Sequence, residues 1–100
     1  MTETTRPAFS VVIPSFNEAD RLPTTLEQID RFFFAADDLG AAEILVVDDG
    51  SVDRTSEVGS SFCPSGNTGV QVIRCERNRG KGAAVREGFR QSKRNLVLLT

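Results

Sequence analysis

The sequence predicts an α/β fold: a mainly parallel sheet covered by helices on both sides, in three layers. Three observations predict it. Short β-branched apolar runs alternate with helix-length segments in the order β-α-β-α-β-α-β. Those runs are apolar at consecutive positions, as in strands buried on both faces, rather than at every second one. The intervening segments are also long enough to cross over and bring the chain back parallel to the strand before.

Phe9-Ser10-Val11-Val12-Ile13 is the first predicted strand, ended by Pro14. A helix is predicted from about Asp20 to Leu39, because Leu22, Leu26, Ile29 and Phe33 recur at spacings that share one face. Pro23 falls in its first turn, where a missing N–H loses no partner, and Gly40 ends it. Glu43-Ile44-Leu45-Val46-Val47 is a second strand running straight into Asp48-Asp49-Gly50-Ser51. Asp53 is placed to cap a second helix carrying Val58 and Phe62. A loop through Pro64, Ser65, Gly66, Asn67 and Gly69 leads to a third strand, Val70 to Arg74. Arg79-Gly80-Lys81-Gly82 opens a third helix to about Arg94, with Ala84, Val85, Gly88 and Phe89 as a narrow apolar face. Asn95 to Thr100 reads as a fourth strand, and residues 1–7 as a disordered tail before a unit spanning 8–100.

Composition narrows the functional classes. Hydrophobic residues are 39% and charged residues 26% of the chain, ordinary for a globular protein. No apolar run approaches the roughly 20 residues that span a bilayer, and no secretory signal opens the chain. Cys63 and Cys75, with no histidine, argue against a zinc site or a disulfide scaffold, so two reduced cysteines and a cytoplasmic setting are expected. Acids dominate residues 1–50 and bases residues 51–100. The bases (Arg74, Arg77, Arg79, Lys81, Arg86, Arg90, Lys93, Arg94) lack interleaved aromatics, which disfavours nucleic acid and favours a small phosphate-bearing ligand or a solvated helix face.

In open parallel sheets, ligands bind beyond the carboxyl ends of the strands. Three unusual clusters sit there: Pro14-Ser15-Phe16-Asn17-Glu18, Asp48-Asp49-Gly50-Ser51 and Asn78-Arg79-Gly80-Lys81-Gly82. Phe16 can lie against a nucleobase, a stack worth roughly 1–3 kcal/mol, or can simply pack as a core residue. Glu18 is equally a helix-start acid favoured by the dipole. Two adjacent carboxylates at the end of a buried strand repel and face desolvation, unless they accept hydrogen bonds from a ligand or from a turn. Backbone N–H groups at a helix start beside Arg79 and Lys81 suit an anion. The P-loop and dinucleotide glycine patterns are both absent.

Together, in this order and spacing, the clusters resemble family 2 glycosyltransferases of the GT-A fold, over essentially all of Phe9 to Thr100. The stretch Asn17 to Leu26 looks most like the dolichyl- or polyprenyl-phosphate sugar transferases of the glucosyl type. The resemblance implies the nucleotide-binding half of a Rossmann-like domain, with Pro14, Phe16, Glu18, Val47 and Asp49 at the nucleotide and Asp48 and Lys81 as lesser members. In the resembling enzymes the position of Asp49 accepts from the uracil imide, while Asp48 is expected to anchor the loop. It further implies an inverting transfer from a nucleotide-sugar donor, UDP-glucose, to a lipid-phosphate or glycan acceptor. Peripheral membrane association and a Mg2+ or Mn2+ cofactor are part of the same expectation. The cation's Asp-x-Asp ligands are expected just after Thr100, so no metal ligand or catalytic residue is assigned within the chain. Competing readings are a nucleotidyltransferase, a receiver-like signalling module and a non-catalytic nucleotide-binding domain. The first usually places a glycine- and arginine-rich loop after strand one; the second places its acidic pair after the first strand.

Overall fold

The computed structural model describes residues 7–66, 68–92 and 95–98. Four strands, β1 (Pro7–Ser15), β2 (Ala41–Asp49), β3 (Thr68–Cys75) and β4 (Asn95–Leu98), form one sheet in the order β3-β2-β1-β4. All three pairings are parallel. Helices α1 (Leu22–Ala35), α2 (Thr55–Ser61) and α3 (Lys81–Gln91) supply the crossovers. The chain winds outward from β1 to β3, then α3 returns it to the far side of β1. The expected α/β architecture is present.

Alternation along the buried strands divides the core. Val11, Ile13, Ile44 and Val46 point to one face and pack with Leu22, Leu26 and Phe33 of α1, backed by Val58 and Phe62 beside α2. Val12, Leu45 and Val47 point to the other face and meet Ala84 of α3, with Ile73 and Cys75 at the margin. Gly88 lets α3 come down onto the sheet: a Cβ there would stand 2.4 Å from Val12 Cγ1.

Several boundaries differ from expectation. β1 runs through Pro14, which pairs with Val47, because one missing donor is a single gap in a ladder continued by Ser15 and Asp48. Helix α1 starts at Leu22, not Asp20, since the Glu18 carbonyl accepts from Arg21 and Leu22 N–H in a preceding turn. It ends at Ala35 and gives way to a 3-10 turn, Asp37–Leu39. Two acids at a helix carboxyl end oppose the dipole, and Gly40, at φ 87°, follows the turn rather than the helix. β2 extends to include Asp48 and Asp49. Helix α3 closes at Gln91, three residues before Arg94, and Ser92 is extended. Phe89 is half-exposed rather than part of a buried stripe, because the close approach at Gly88 leaves no room for a ring. Pro7 opens β1, whereas the rest of the expected tail, residues 1–6, lies outside the described residues, as do Lys93, Arg94, Leu99 and Thr100. Cys63 and Cys75 are both free.

Candidate functional site

At the carboxyl rim of the sheet the acidic doublet divides, because successive strand residues face opposite ways. Asp48 points to the α1/α2 side and is fully buried. Its Oδ1 accepts from Ser51 N–H at 2.9 Å, and its Oδ2 accepts from Arg74 Nη1 at 2.8 Å and from the Ser56 hydroxyl. Burial pushes the Asp48 carboxyl up, but these donors from Ser51, Ser56 and Arg74 outweigh it and hold the group below the ordinary carboxylate range. Asp48 is the loop anchor the sequence suggested.

Asp49 points to the α3 side and is almost fully buried. Oδ1 accepts from Arg79 N–H and Oδ2 from Gly80 N–H, each at 2.9 Å. The carboxylate therefore grips the loop that opens α3. Each oxygen retains a lone pair for a further donor. Gly50, at φ 73°, makes the crossing feasible: a Cβ there would fall 2.4 Å from Arg77 C and Asn78 N.

The β1–α1 loop is tied to the β2–α2 loop in the same way. Asn17, the one non-glycine residue at positive φ (54°) among the described residues, donates its N–H to Ser51 Oγ at 2.8 Å and accepts from Val52 N–H at 3.0 Å. Glu18 N–H donates to Thr55 Oγ1 at 2.9 Å, and Ala19 N–H to Asp53 Oδ2 at 3.1 Å. Asp53 also accepts from Thr55 N–H across a local turn, but Arg54 rather than Asp53 occupies the N-cap of α2 and makes no side-chain cap bond, so the expected cap is replaced by this turn. The Glu18 carboxylate is forked by Arg21, with both bonds at 2.8 Å.

These ties surround a cleft of about 300 Å³, lined among others by Pro14, Phe16, Glu18, Asp49, Gly80 and Lys81. Five of the seven expected site residues thus meet in one place. Phe16 is 45% exposed, with its ring available to a flat ligand. Val47 does not line the cleft; its side chain is fully buried against Val12 and Ala84. Asp48 is also outside it, on the other face. Ser15 and Asn78 also line the cleft, within clusters the sequence marks but without a role assigned to them there, and sequence reasoning missed the parts played by Asn17, Ser51 and Arg74 in holding the rim. The signal for Asn17 was its residue type, since asparagine is among the few that tolerate the left-handed region. Among the described residues, no three acidic, histidine or cysteine side chains converge as a metal site.

A family model described as glycosyl transferase family 2 matches residues 10–100. The chain belongs to this family. It is 42% identical over 94 residues to the dolichyl-phosphate beta-glucosyltransferase of Mus musculus, an alignment covering 90% of this chain and 29% of that protein. The dolichyl-phosphate beta-glucosyltransferase of Saccharomyces cerevisiae is 40% identical over 85 residues, 80% of this chain and 25% of that protein. The undecaprenyl-phosphate 4-deoxy-4-formamido-L-arabinose transferase of Pseudomonas aeruginosa (strain LESB58) is 40% identical over 90 residues, 89% of this chain and 26% of that protein. The chain spans less than a third of the length of these curated relatives. The α/β arrangement is consistent with the nucleotide-binding, Rossmann-like half of a family 2 glycosyltransferase.

Proposed function

We propose that the chain forms the donor pocket of an inverting glycosyltransferase that moves glucose from UDP-glucose to a dolichyl or polyprenyl phosphate. The observation that carries the reading is a cleft at the carboxyl rim of a parallel sheet, walled by the ends of β1 and β2 and by the segments that follow β1 and β3. Phe16 offers a face to the base. Lys81, at the first turn of α3, offers a cation and free helix N–H groups near the diphosphate. In the transfer, an acceptor phosphate oxygen attacks the anomeric carbon from the face opposite the leaving nucleoside diphosphate, forming one bond and breaking the other with inversion.

The relatives named above support an isoprenoid-phosphate acceptor more broadly than any one sugar, since their names share the lipid phosphate and differ in the sugar. A divalent cation, Mg2+ or Mn2+, belongs to the same proposal. Among the described residues, no three acidic, histidine or cysteine side chains are grouped to hold it. The protein would work in the cytoplasm, at the cytosolic face of a membrane. No described helix is long and apolar enough to cross a bilayer.

Calorimetric titration of the protein at its natural full length with UDP, UDP-glucose and GDP-mannose, with and without Mn2+, tests the reading. Phe16→Ala is the informative variant, because Asp49 is also structural whereas Phe16 is half-exposed. The expected result is metal-dependent binding of the uridine ligands, weakened roughly tenfold or more in Phe16→Ala. Failure of the folded protein to bind any of the three sinks the transferase reading.

A further inference from the structure

Arg74 is set apart from the other basic residues. It lies one residue from the end of β3, in register with Asp48 of β2, and it does not line the cleft. Its fork reaches three acceptors: Nη1 donates to Asp48 Oδ2 at 2.8 Å and, more distantly, to Ser56 Oγ at 3.4 Å, and Nη2 donates to the Ser51 carbonyl at 3.0 Å. Asp48 in turn accepts from Ser51 N–H. Ser51 is thereby held by both of its backbone groups, through one guanidinium and one carboxylate.

Ser51 passes that constraint on. Its Oγ accepts from Asn17 N–H at 2.8 Å, and Asn17 Oδ1 accepts from Val52 N–H, the next residue along. Asn17 sits at φ 54°, a conformation that costs an L-residue unless its surroundings hold it. It stands between Phe16 and Glu18, both of which line the cleft. An unbroken set of hydrogen bonds therefore runs from Arg74 through Asp48 and Ser51 to Asn17, the residue between Phe16 and Glu18.

The chemistry favours arginine here. The Asp48 carboxylate is fully buried, and a buried carboxylate is tolerated when a charge and further donors meet it. A planar fork reaches a carboxylate oxygen and a carbonyl at once, from a side chain that remains half in solvent. A lysine supplies the charge as a single point and reaches one of the two.

We propose that Arg74 is a positioning residue for nucleotide binding, acting on Phe16 and Glu18 through Asp48, Ser51 and Asn17 without touching the ligand. The proposal rests on the nucleotide-sugar reading of the cleft. It places a determinant of donor affinity on the outer side of the β2–α2 loop, on the opposite face of the sheet from the α3 wall of the cleft.

The test compares Arg74→Gln, Arg74→Lys and Ser51→Ala with Asp30→Asn in the protein at its natural full length. Asp30 anchors Ser65 in the loop before β3, at the opposite rim, so its variant reports a loss of stability that does not pass through the cleft. Thermal unfolding and UDP titration are run on each, the titration at a temperature where all are folded. Arg74→Gln is expected to weaken UDP binding about tenfold and Arg74→Lys to recover part of that loss. Ser51→Ala, which cuts the same path at Asn17, is expected to match Arg74→Gln and stands in if that variant does not fold. Asp30→Asn, with a comparable fall in Tm, should stay within about twofold of wild type. Undiminished UDP binding in both Arg74→Gln and Ser51→Ala overturns the proposal alone, as does an equal loss in Asp30→Asn. Absence of UDP binding by the wild-type protein overturns the functional reading and the proposal with it.

Discussion

The two faces of the sheet are built to opposite rules. On the α1/α2 side, large side chains fill a deep layer: Leu22, Leu26 and Phe33 pack on Val11, Ile13, Ile44 and Val46. On the α3 side the layer is thin, with Ala84 and Gly88 bringing the helix almost onto Val12. The thick face supplies the apolar burial that holds the fold. The thin face gives up volume so that the start of α3, with Gly80 and Lys81, arrives at the strand ends where Asp49 can grip it. One face resists loss of volume and the other resists gain.

That contrast can be broken at several points. Leu26→Ala removes a side chain with no solvent exposure and leaves a cavity. It should lower unfolding stability by about 2–5 kcal/mol in denaturant titration, the largest single effect expected. Gly88→Ala acts in the other direction. Alanine favours a helix over glycine by about 1 kcal/mol, but overpacking costs about 1–3 kcal/mol, and the new methyl would sit 2.4 Å from Val12 Cγ1. A net loss of up to about 2 kcal/mol follows, whereas a stabilised Gly88→Ala would show that α3 is free to lift.

Asp30 sharpens the comparison with pH. Its buried carboxylate on α1 accepts from Ser65 N–H at 3.0 Å and from the Ser65 hydroxyl at 2.7 Å. Burial raises its pKa, but the Ser65 donors prevail and hold it below the ordinary value. The unfolded chain therefore takes up this proton at higher pH than the folded one, so the contribution is complete above the unfolded value of about 4. It fades as pH falls through the lower folded value. Asp30→Asn should cost about 1 kcal/mol at pH 7, with the gap to wild type closing below about pH 4 in thermal unfolding. The smallest effect belongs to neither face. Arg54 and Glu57 pair at 3.0 Å on the outer side of α2, both largely exposed, and Glu57→Gln should change stability by less than about 0.5 kcal/mol.

Much of this was legible in the sequence, for identifiable reasons. The strand cores Val11 to Ile13 and Ile44 to Val47 announced themselves because consecutive apolar residues fit a strand buried on both faces. Leu22, Leu26 and Phe33 were readable from helical spacing. The separate duties of Asp48 and Asp49 were readable in principle, since strand alternation sends neighbours to opposite faces, but the sequence does not say which donors each will find. The Asp49 contacts come from Arg79 and Gly80 N–H groups thirty residues away, and a backbone donor carries no signature in residue type. Helix ends were misjudged where a competing local bond won, as when the Glu18 carbonyl took the Arg21 and Leu22 amides. Phe89 was misjudged because the spacing between helix and sheet is fixed by Gly88, a residue with no pattern of its own.

Gly50 has a consequence for the thermodynamics of ligand capture. With its Cα set against the backbone of Arg77 and Asn78, and with Asn17 and Asp49 bonded across on either side, three loops are joined into one rim as the chain folds. The conformational entropy of ordering those loops is lost at folding rather than at the arrival of a ligand. A ligand meeting this rim has little loop disorder left to remove, so less of its contact energy is spent on ordering the site.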